Sequence, residues 1–421
     1  MRQSMGIQAK WKFGIKGARE VSQRCPVLYQ AVDQTAAISP ENSSKSLVLA
    51  TFNFKEKGAL RGVLAALDID SGEAVWQFEV SHSLTTPWVV QEAIYVTCFD
   101  GSVYRLNGKG EVQWRSRPGY TNLWQGVWAQ NLIVYAEIAG RAQYTRALNS
   151  ENGEVVWTYK NGGHSYALTA DVSSYGQGRI VHCSVSSPSL REPKMAVLHC
   201  LEVASGQLLW RTAHRQYLFA PLIDGPHVYI GSRGHVALFC LETGRLLNEF
   251  PLAQLANTPL AKQGTQRAAV NQTNQETDWE KIAVRARPIK TSQGIVFTLE
   301  RGGLFCLALK ASNDEAPTLE TKWHCHIEAD IEAEIVPEKD NLLVISELGE
   351  LMVVATASGE IGLRQKISGF TRGYGLAVIS ESPTERLRPP SPTDVLRCRV
   401  APSARIIMAA SRNCTEINLP L

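Results

Sequence analysis

Residue types that could ligate a metal or attack a substrate come together at one place, His324-Cys325-His326. On a strand the two histidines share one face and the cysteine takes the other. A zinc site needs three or four converging ligands, and the chain has no Cys-x-x-Cys cluster to supply the rest. The triplet therefore reads as ordinary strand residues, and no metal or cofactor site is expected. No nucleophile elbow, phosphate loop or metalloprotease helix is present, so no catalytic residue is assigned. The remaining side chains with chemical reach are arginines and aromatics in five groups: Arg115, Arg117, Tyr120 and Trp124; His164 and Tyr166; His214, Arg215, Tyr217 and Phe219; Arg285 and Arg287; Arg372 and Tyr374. These are the types enriched at the energetic centres of protein interfaces. Their chemistry is recognition rather than bond making.

What positions these groups is a repeat. Gly72-Glu-Ala-Val-Trp76 returns as Gly110 to Trp114, Gly153 to Trp157 and Gly206 to Trp210, with degenerate copies at Gly244 to Asn248 and Gly359 to Leu363. Trp323 keeps the tryptophan after a longer turn that has lost the glycine. The strand before each turn repeats too: Ala66-Leu-Asp, Arg105-Leu-Asn, Ala147-Leu-Asn, Cys200-Leu-Glu, Cys240-Leu-Glu, Cys306-Leu-Ala and Val353-Val-Ala are read as one column. Markers at 76, 114, 157, 210, 248, 323 and 363 lie 38, 43, 53, 38, 75 and 40 residues apart. A period of about 40 residues built from short strands indicates a propeller blade. Apolar residues alternate with period two, which excludes helical solenoids.

The Ala-Leu-Asp-x-x-x-Gly-Glu-x-x-Trp pattern resembles the pyrroloquinoline-quinone-type (PQQ-like) propeller repeat of quinoprotein dehydrogenases and of the outer-membrane assembly lipoprotein. The resemblance covers nearly the whole chain and implies an all-β propeller of four-stranded antiparallel blades, with each tryptophan lying between adjacent blades. It also raises a quinone-dependent oxidoreductase as a reading. Many such enzymes carry an adjacent Cys-Cys pair beside the cofactor, which this chain lacks.

The orphan strand around Trp11 and the three strands after Leu363 (Leu376 to Ser380, Ala404 to Ala410, Thr415 to Leu419) suggest a single eight-bladed domain over residues 1–421. In it the N-terminal strand completes the last blade and removes both sheet edges. A seven-bladed ring with a loose C-terminal tail is the alternative. The 75-residue interval contains a polar insertion at 253–282 between blades five and six, where Thr277-Asp-Trp-Glu280 looks like a capping box for a short helix. Residues 381–394 form a proline-rich loop in the last blade.

Of the 421 residues, 44% are hydrophobic and 20% charged, and the net charge of +3 gives nucleic acid no electrostatic footprint. No signal-peptide pattern or 18-residue apolar run occurs, so a cytoplasmic protein without membrane insertion is expected. The odd count of nine cysteines fits a reducing compartment. Cys200, Cys240 and Cys306 are read as small core residues in the shared column. The function expected is a non-catalytic scaffold, monomeric or in a hetero-complex, that binds a protein or peptide on its top face, where outer strands connect to the next inner strands. The quinone-dependent enzyme and a small-ligand sensor using the central channel are the alternatives.

Overall fold

The computed structural model describes residues 9–13, 20–21, 27–30, 46–56, 58–90, 92–119, 121–122, 126–139, 142–161, 164–171, 178–186, 195–214, 218–258, 279–284, 287–300, 303–310, 317–327, 331, 335–338, 340–346, 348–366, 373–379, 403–410 and 413–420. Their strands form antiparallel sheets of four or five strands, and the only helical elements among them are two 3-10 turns, Leu252–Asn257 and Trp279–Lys281. The architecture is all-β, as the period-two alternation requires.

The second sheet shows the plan. Trp88–Val90, Ala93–Thr97, Val103–Leu106 and Val112–Ser116 pair in sequence order as a meander. Ala93–Thr97 is buried at every position, whereas the outer strand Val112–Ser116 alternates between exposed and half-buried. A middle strand is covered on both faces because neighbouring sheets pack on both sides. The hydrophobic clusters accordingly cross sheet boundaries: Val181, Leu198 and Cys200 of the fourth sheet pack with Ile223, Ile230 and Phe239 of the fifth. The last sheet differs in its connectivity. Ala9–Phe13 pairs with Asn413–Pro420, in the register Phe13 to Cys414, beside Ser403–Ala410 and Gly373–Ile379. Phe13 also meets Phe52 of the first sheet edge-on, ring centroids 5.6 Å apart.

The repeated Gly-x-x-x-Trp unit joins neighbouring sheets. The indole nitrogen of Trp76 donates to the Gly108 carbonyl at 2.8 Å, Trp114 to Ser150 at 3.0 Å, Trp157 to Val203 at 2.8 Å, Trp210 to Leu241 at 2.8 Å and Trp323 to Thr356 at 2.7 Å. Each acceptor lies at the turn before the outer strand of the next sheet. The repeat glycine of that turn lies under the ring. A Cβ at Gly110 would sit 2.6 Å from Trp76, and one at Gly206 2.5 Å from Trp157; both glycines have positive φ, 80° and 70°. One residue type thus satisfies both the turn geometry and the ring contact.

A β-bulge aims each tryptophan. Ala66 pairs with Trp76 but Leu67 with Ala74, which leaves Val75 as the extra residue; Val156 and Leu209 occupy the same place opposite Ala147/Leu148 and Cys200/Leu201. These three are among the most exposed large hydrophobics, at 51%, 48% and 44%. The bulge turns the indole into the inter-sheet layer and the preceding apolar residue to solvent.

The register corrects the column at one position. Cys200 pairs with Trp210 and Cys306 with Trp323, and both thiols are buried, with burial pushing each up to about 12. In the fifth sheet, however, Leu238 pairs with Asn248, the residue in the tryptophan place. Cys240 lies two residues further on, half-exposed at the head of the turn, where Gly244 N–H donates to its carbonyl as Gly72 does to Asp68. Cys240 is therefore a turn residue. The six cysteines whose side chains are described, Cys98, Cys183, Cys200, Cys240, Cys306 and Cys325, are all free of disulfides.

The long connection after the fifth sheet is packed at both ends. Leu252 and Leu255 of the first 3-10 turn are buried, and Ala283 and Val284 bridge to Arg233 and Leu299. Residues 259–278 lie outside the described residues, as does the 381–394 loop.

Candidate partner-binding face

Each sheet has two ends. One carries the Gly-x-x-x-Trp turns; the opposite end carries the connections from outer strand to next inner strand, together with the hairpins between second and third strands. On this second end of the second sheet the chain builds a fixed arginine pair. The turn residue Asp100 accepts from Ser102 N–H at 2.8 Å and from Ser102 Oγ at 3.0 Å. Its carboxylate then accepts from Arg115 Nη2 at 3.1 Å, while Arg115 Nε donates to Ser102 Oγ at 3.1 Å and Arg117 Nε to the Asp100 carbonyl at 2.9 Å. Asp100 is 9% exposed, whereas the Arg115 side chain remains 48% exposed and lies 5.5 Å from the Tyr104 ring centroid. Burial tends to raise the Asp100 carboxyl, but hydrogen bonds from Cys98 and Ser102 and the Arg115 charge outweigh it and hold it below its ordinary value. The result is two guanidiniums presented to solvent from a buried anchor, a geometry suited to carboxylates.

The third sheet has an inward counterpart. Glu137, fully buried, accepts from Arg146 Nε at 2.7 Å, and its Oε1 has no hydrogen-bond partner among the described residues. Burial raises the Glu137 carboxyl, with Arg146 offsetting part of the effect.

Between the fourth and fifth sheets, His214 Nε2 lies 3.0 Å and His235 Nε2 3.5 Å from Glu249 Oε1. His214 ends one outer strand, while His235 and Glu249 come from the third and fourth strands of the next sheet. Their backbone is tied to the long connection: Gly234 N–H donates to the Ile282 carbonyl and Leu252 N–H to the Gly234 carbonyl, both at 2.8 Å.

A deeper constellation has the appearance of a relay. Ser184 Oγ lies 2.8 Å from His199 Nε2, and Tyr159 Oη lies 3.0 Å from His199 Nδ1; His182 stacks on His199 with centroids 4.7 Å apart. Ser184 is only 1% exposed, so a substrate has no approach to its hydroxyl. Burial, followed by the Arg211 charge, lowers His199 to about 4. The group is a neutral structural network between sheets. His324 is similar: burial and then His326 lower it to about 4, and its ring packs edge-on against Trp279 at 6.1 Å while Cys325 occupies the other face. The His-Cys-His triplet is part of the strand Thr318–His326, with His324 against the end of the long connection.

The expected interface residues divide three ways. Arg115 is at the surface as described, and Arg287 is half-buried just before the strand Ile289–Lys290. His164, Tyr166, Phe219 and Tyr374 lie not in connections but within the innermost strands His164–Asp171, Leu218–Asp224 and Gly373–Ile379, because pairing with the second strand begins at His164, Leu218 and Gly373. Tyr120, Trp124, Arg215, Tyr217, Arg285 and Arg372 lie outside the described residues. Asp100, Ser102, His235 and Glu249 were not legible as site residues. Asp100-Gly101 reads only as a hairpin turn, and the two others join His214 across a sheet boundary with no motif spacing.

A family model described as "Outer membrane protein assembly factor BamB" matches residues 39–127 and 141–377. The chain belongs to the BamB family of PQQ-like repeat propellers. Among solved structures, BamB from Moraxella catarrhalis is similar at 12% identity and a TM-score of 0.55, covering 98% of this chain and 100% of that one. Sqt1 from Saccharomyces cerevisiae gives 9% identity and 0.65, covering 99% and 100%. The quinohemoprotein alcohol dehydrogenase ADHIIG from Pseudomonas putida HK5 gives 11% and 0.60, covering 99% and 76%. At these identities the likeness shows the fold alone. No curated protein matched the chain. Among the described residues no helix is long and apolar enough to cross a membrane.

Proposed function

We propose that this BamB-family chain is a non-catalytic scaffold that binds a protein or peptide partner on the face bearing the outer-to-inner connections. The observation that carries the reading is the Asp100–Ser102 anchor, which fixes Arg115 and Arg117 while leaving Arg115 about half exposed. An arginine already ordered loses less rotamer entropy on binding a carboxylate. We also propose that the eight sheets of described strands form a closed eight-bladed ring in a reducing compartment. The pairing of Ala9–Phe13 with Asn413–Pro420 and the free thiols of the six cysteines whose side chains are described support these two points.

The test is affinity capture from native cell extract with three baits: the wild-type chain, an Arg115→Glu/Arg117→Glu variant, and a Lys109→Glu variant at the opposite end of the same sheet. Partners retained by wild type and Lys109→Glu but lost with the double variant support the face assigned. The same proteins on all three baits would refute it. For ring closure, removal of residues 1–18 is expected to expose a strand edge and cause aggregation; a soluble deletion with unchanged Tm would contradict closure.

A further inference from the structure

His214, His235 and Glu249 each offer one ligand atom, and the three atoms lie within 4.8 Å of one another. We infer that they bind one divalent transition-metal ion of the Zn2+ type, through the imidazole nitrogens of His214 and His235 and a carboxylate oxygen of Glu249, with a fourth position open to water.

The spacing fits before any rearrangement. With metal–ligand bonds of about 2.05 Å, tetrahedral geometry separates neighbouring ligand atoms by about 3.3 Å. The observed separations from Glu249 Oε1, 3.0 Å to His214 and 3.5 Å to His235, bracket that value. The Glu249 side chain is 46% exposed, which leaves the site open to solvent on one side.

A second observation points to a missing ligand. His235 Nε2 is buried and makes no hydrogen bond among the described residues, although it faces the Glu249 carboxylate. A buried polar atom without a partner costs about 1–3 kcal/mol, and a metal would satisfy it. The His235 ring is also hydrogen-bonded to the Arg233 backbone. His214 is held by an edge contact to Phe239, centroids 6.1 Å apart.

The site joins the fourth sheet to the fifth, whose Gly234 is already tied to both ends of the long connection, so a bound ion would brace the two sheets and that connection together. Two nitrogens and one carboxylate suit zinc, nickel or copper better than calcium or magnesium, which prefer oxygen.

The test is Zn2+ titration of the full chain by calorimetry at neutral pH, paired with Co2+ absorption spectra to report coordination geometry. The variants are His235→Ala, the milder Glu249→Gln, and the reference His82→Ala. Wild type and His82→Ala should take up one equivalent more than either site variant, or bind it with an affinity higher by at least the ~10–100-fold typical of losing an outer-shell partner. Zn2+ should raise the Tm of wild type but not that of Glu249→Gln, and Mg2+ should raise neither. Equal Zn2+ stoichiometry, affinity and Tm shift in wild type and Glu249→Gln would overturn the site, since binding at cysteines elsewhere would be common to both.

Discussion

The two ends of each sheet obey different rules. At the turn end, five tryptophans donate to carbonyls of the next sheet at 2.7 to 3.0 Å, and the glycine under each ring has a φ near 70° to 80°. At the connection end almost nothing repeats: Asp100 anchors two arginines, Glu137 is buried against Arg146, and His214 meets His235 and Glu249. Repetition marks the positions that every inter-sheet contact needs. Chemistry that could be particular to this chain sits at the other end, where the repeat imposes no residue.

The turn end also contains its own contrast. The fifth-to-sixth contact has lost both halves of the pair, with Asn248 in place of tryptophan and no repeat glycine opposite. Asn248 Oδ1 accepts from Leu319 N–H at 3.3 Å. Apolar packing takes over: Phe250, Leu252, Leu255, Val284, Phe297 and Phe305 form one cluster, with Trp279 and Ile282 against it. Both ends of the long connection thus perform the work the tryptophan does elsewhere.

Replacing Trp157, 8% exposed, by alanine is expected to cost about 3–5 kcal/mol, through lost packing and the orphaned Val203 carbonyl. Asn248→Ala at the degenerate contact should cost about 1 kcal/mol. Urea denaturation of the two variants side by side measures the difference; equal losses would mean that the tryptophans are not what joins the sheets. The glycines sharpen the same point. Gly206→Ala places a methyl 2.5 Å from the Trp157 ring as well as at positive φ, whereas Gly58, with φ 88°, has nothing within 4 Å. Gly58→Ala should cost only the backbone strain of about 1–2 kcal/mol, and Gly206→Ala clearly more. A Gly206→Ala loss no larger than that of Gly58→Ala would remove the ring contact from the explanation.

The buried histidines give a smaller, pH-dependent effect. His199 and His324 are lowered to about 4 by burial, while an unfolded histidine titrates near 6.5. Between these values the unfolded chain binds more protons. The stability contributed by the neutral rings is therefore complete above pH ~6.5 and is lost as pH falls from there towards 4, with a limiting slope of about 1.4 kcal/mol per pH unit for each histidine. His199→Gln should flatten the curve over that window. An unchanged slope would show that His199 is protonated, or exposed, in the folded protein.

Strand content and the Gly-x-x-x-Trp turn were legible because both depend on local pattern; the inter-sheet place of the tryptophans followed only from the resemblance to the PQQ-like repeat, and the bulge that aims them was not legible. Cys240 shows where pattern misleads. Its Cys-Leu-Glu repeats the letters of Cys200-Leu-Glu, but Gly206 follows Cys200 by six residues and Gly244 follows Cys240 by four. The glycine, fixed by its hydrogen bond to the head of the turn, decides the alignment. The His214, His235 and Glu249 cluster was not legible at all, since its members come from three strands of two sheets. The arginine pair was legible in type but not in mechanism, because the Asp100 that orders it reads as a simple hairpin turn.

The central claim, that recognition belongs to the connection end, is tested most directly by titrating the captured partner against Arg115→Ala, Arg117→Ala and Lys109→Ala. Each arginine variant should stay folded and lose more than about 1 kcal/mol of binding free energy, and Lys109→Ala should match wild type. Wild-type affinity in both arginine variants, or a loss confined to Lys109→Ala, would contradict the account.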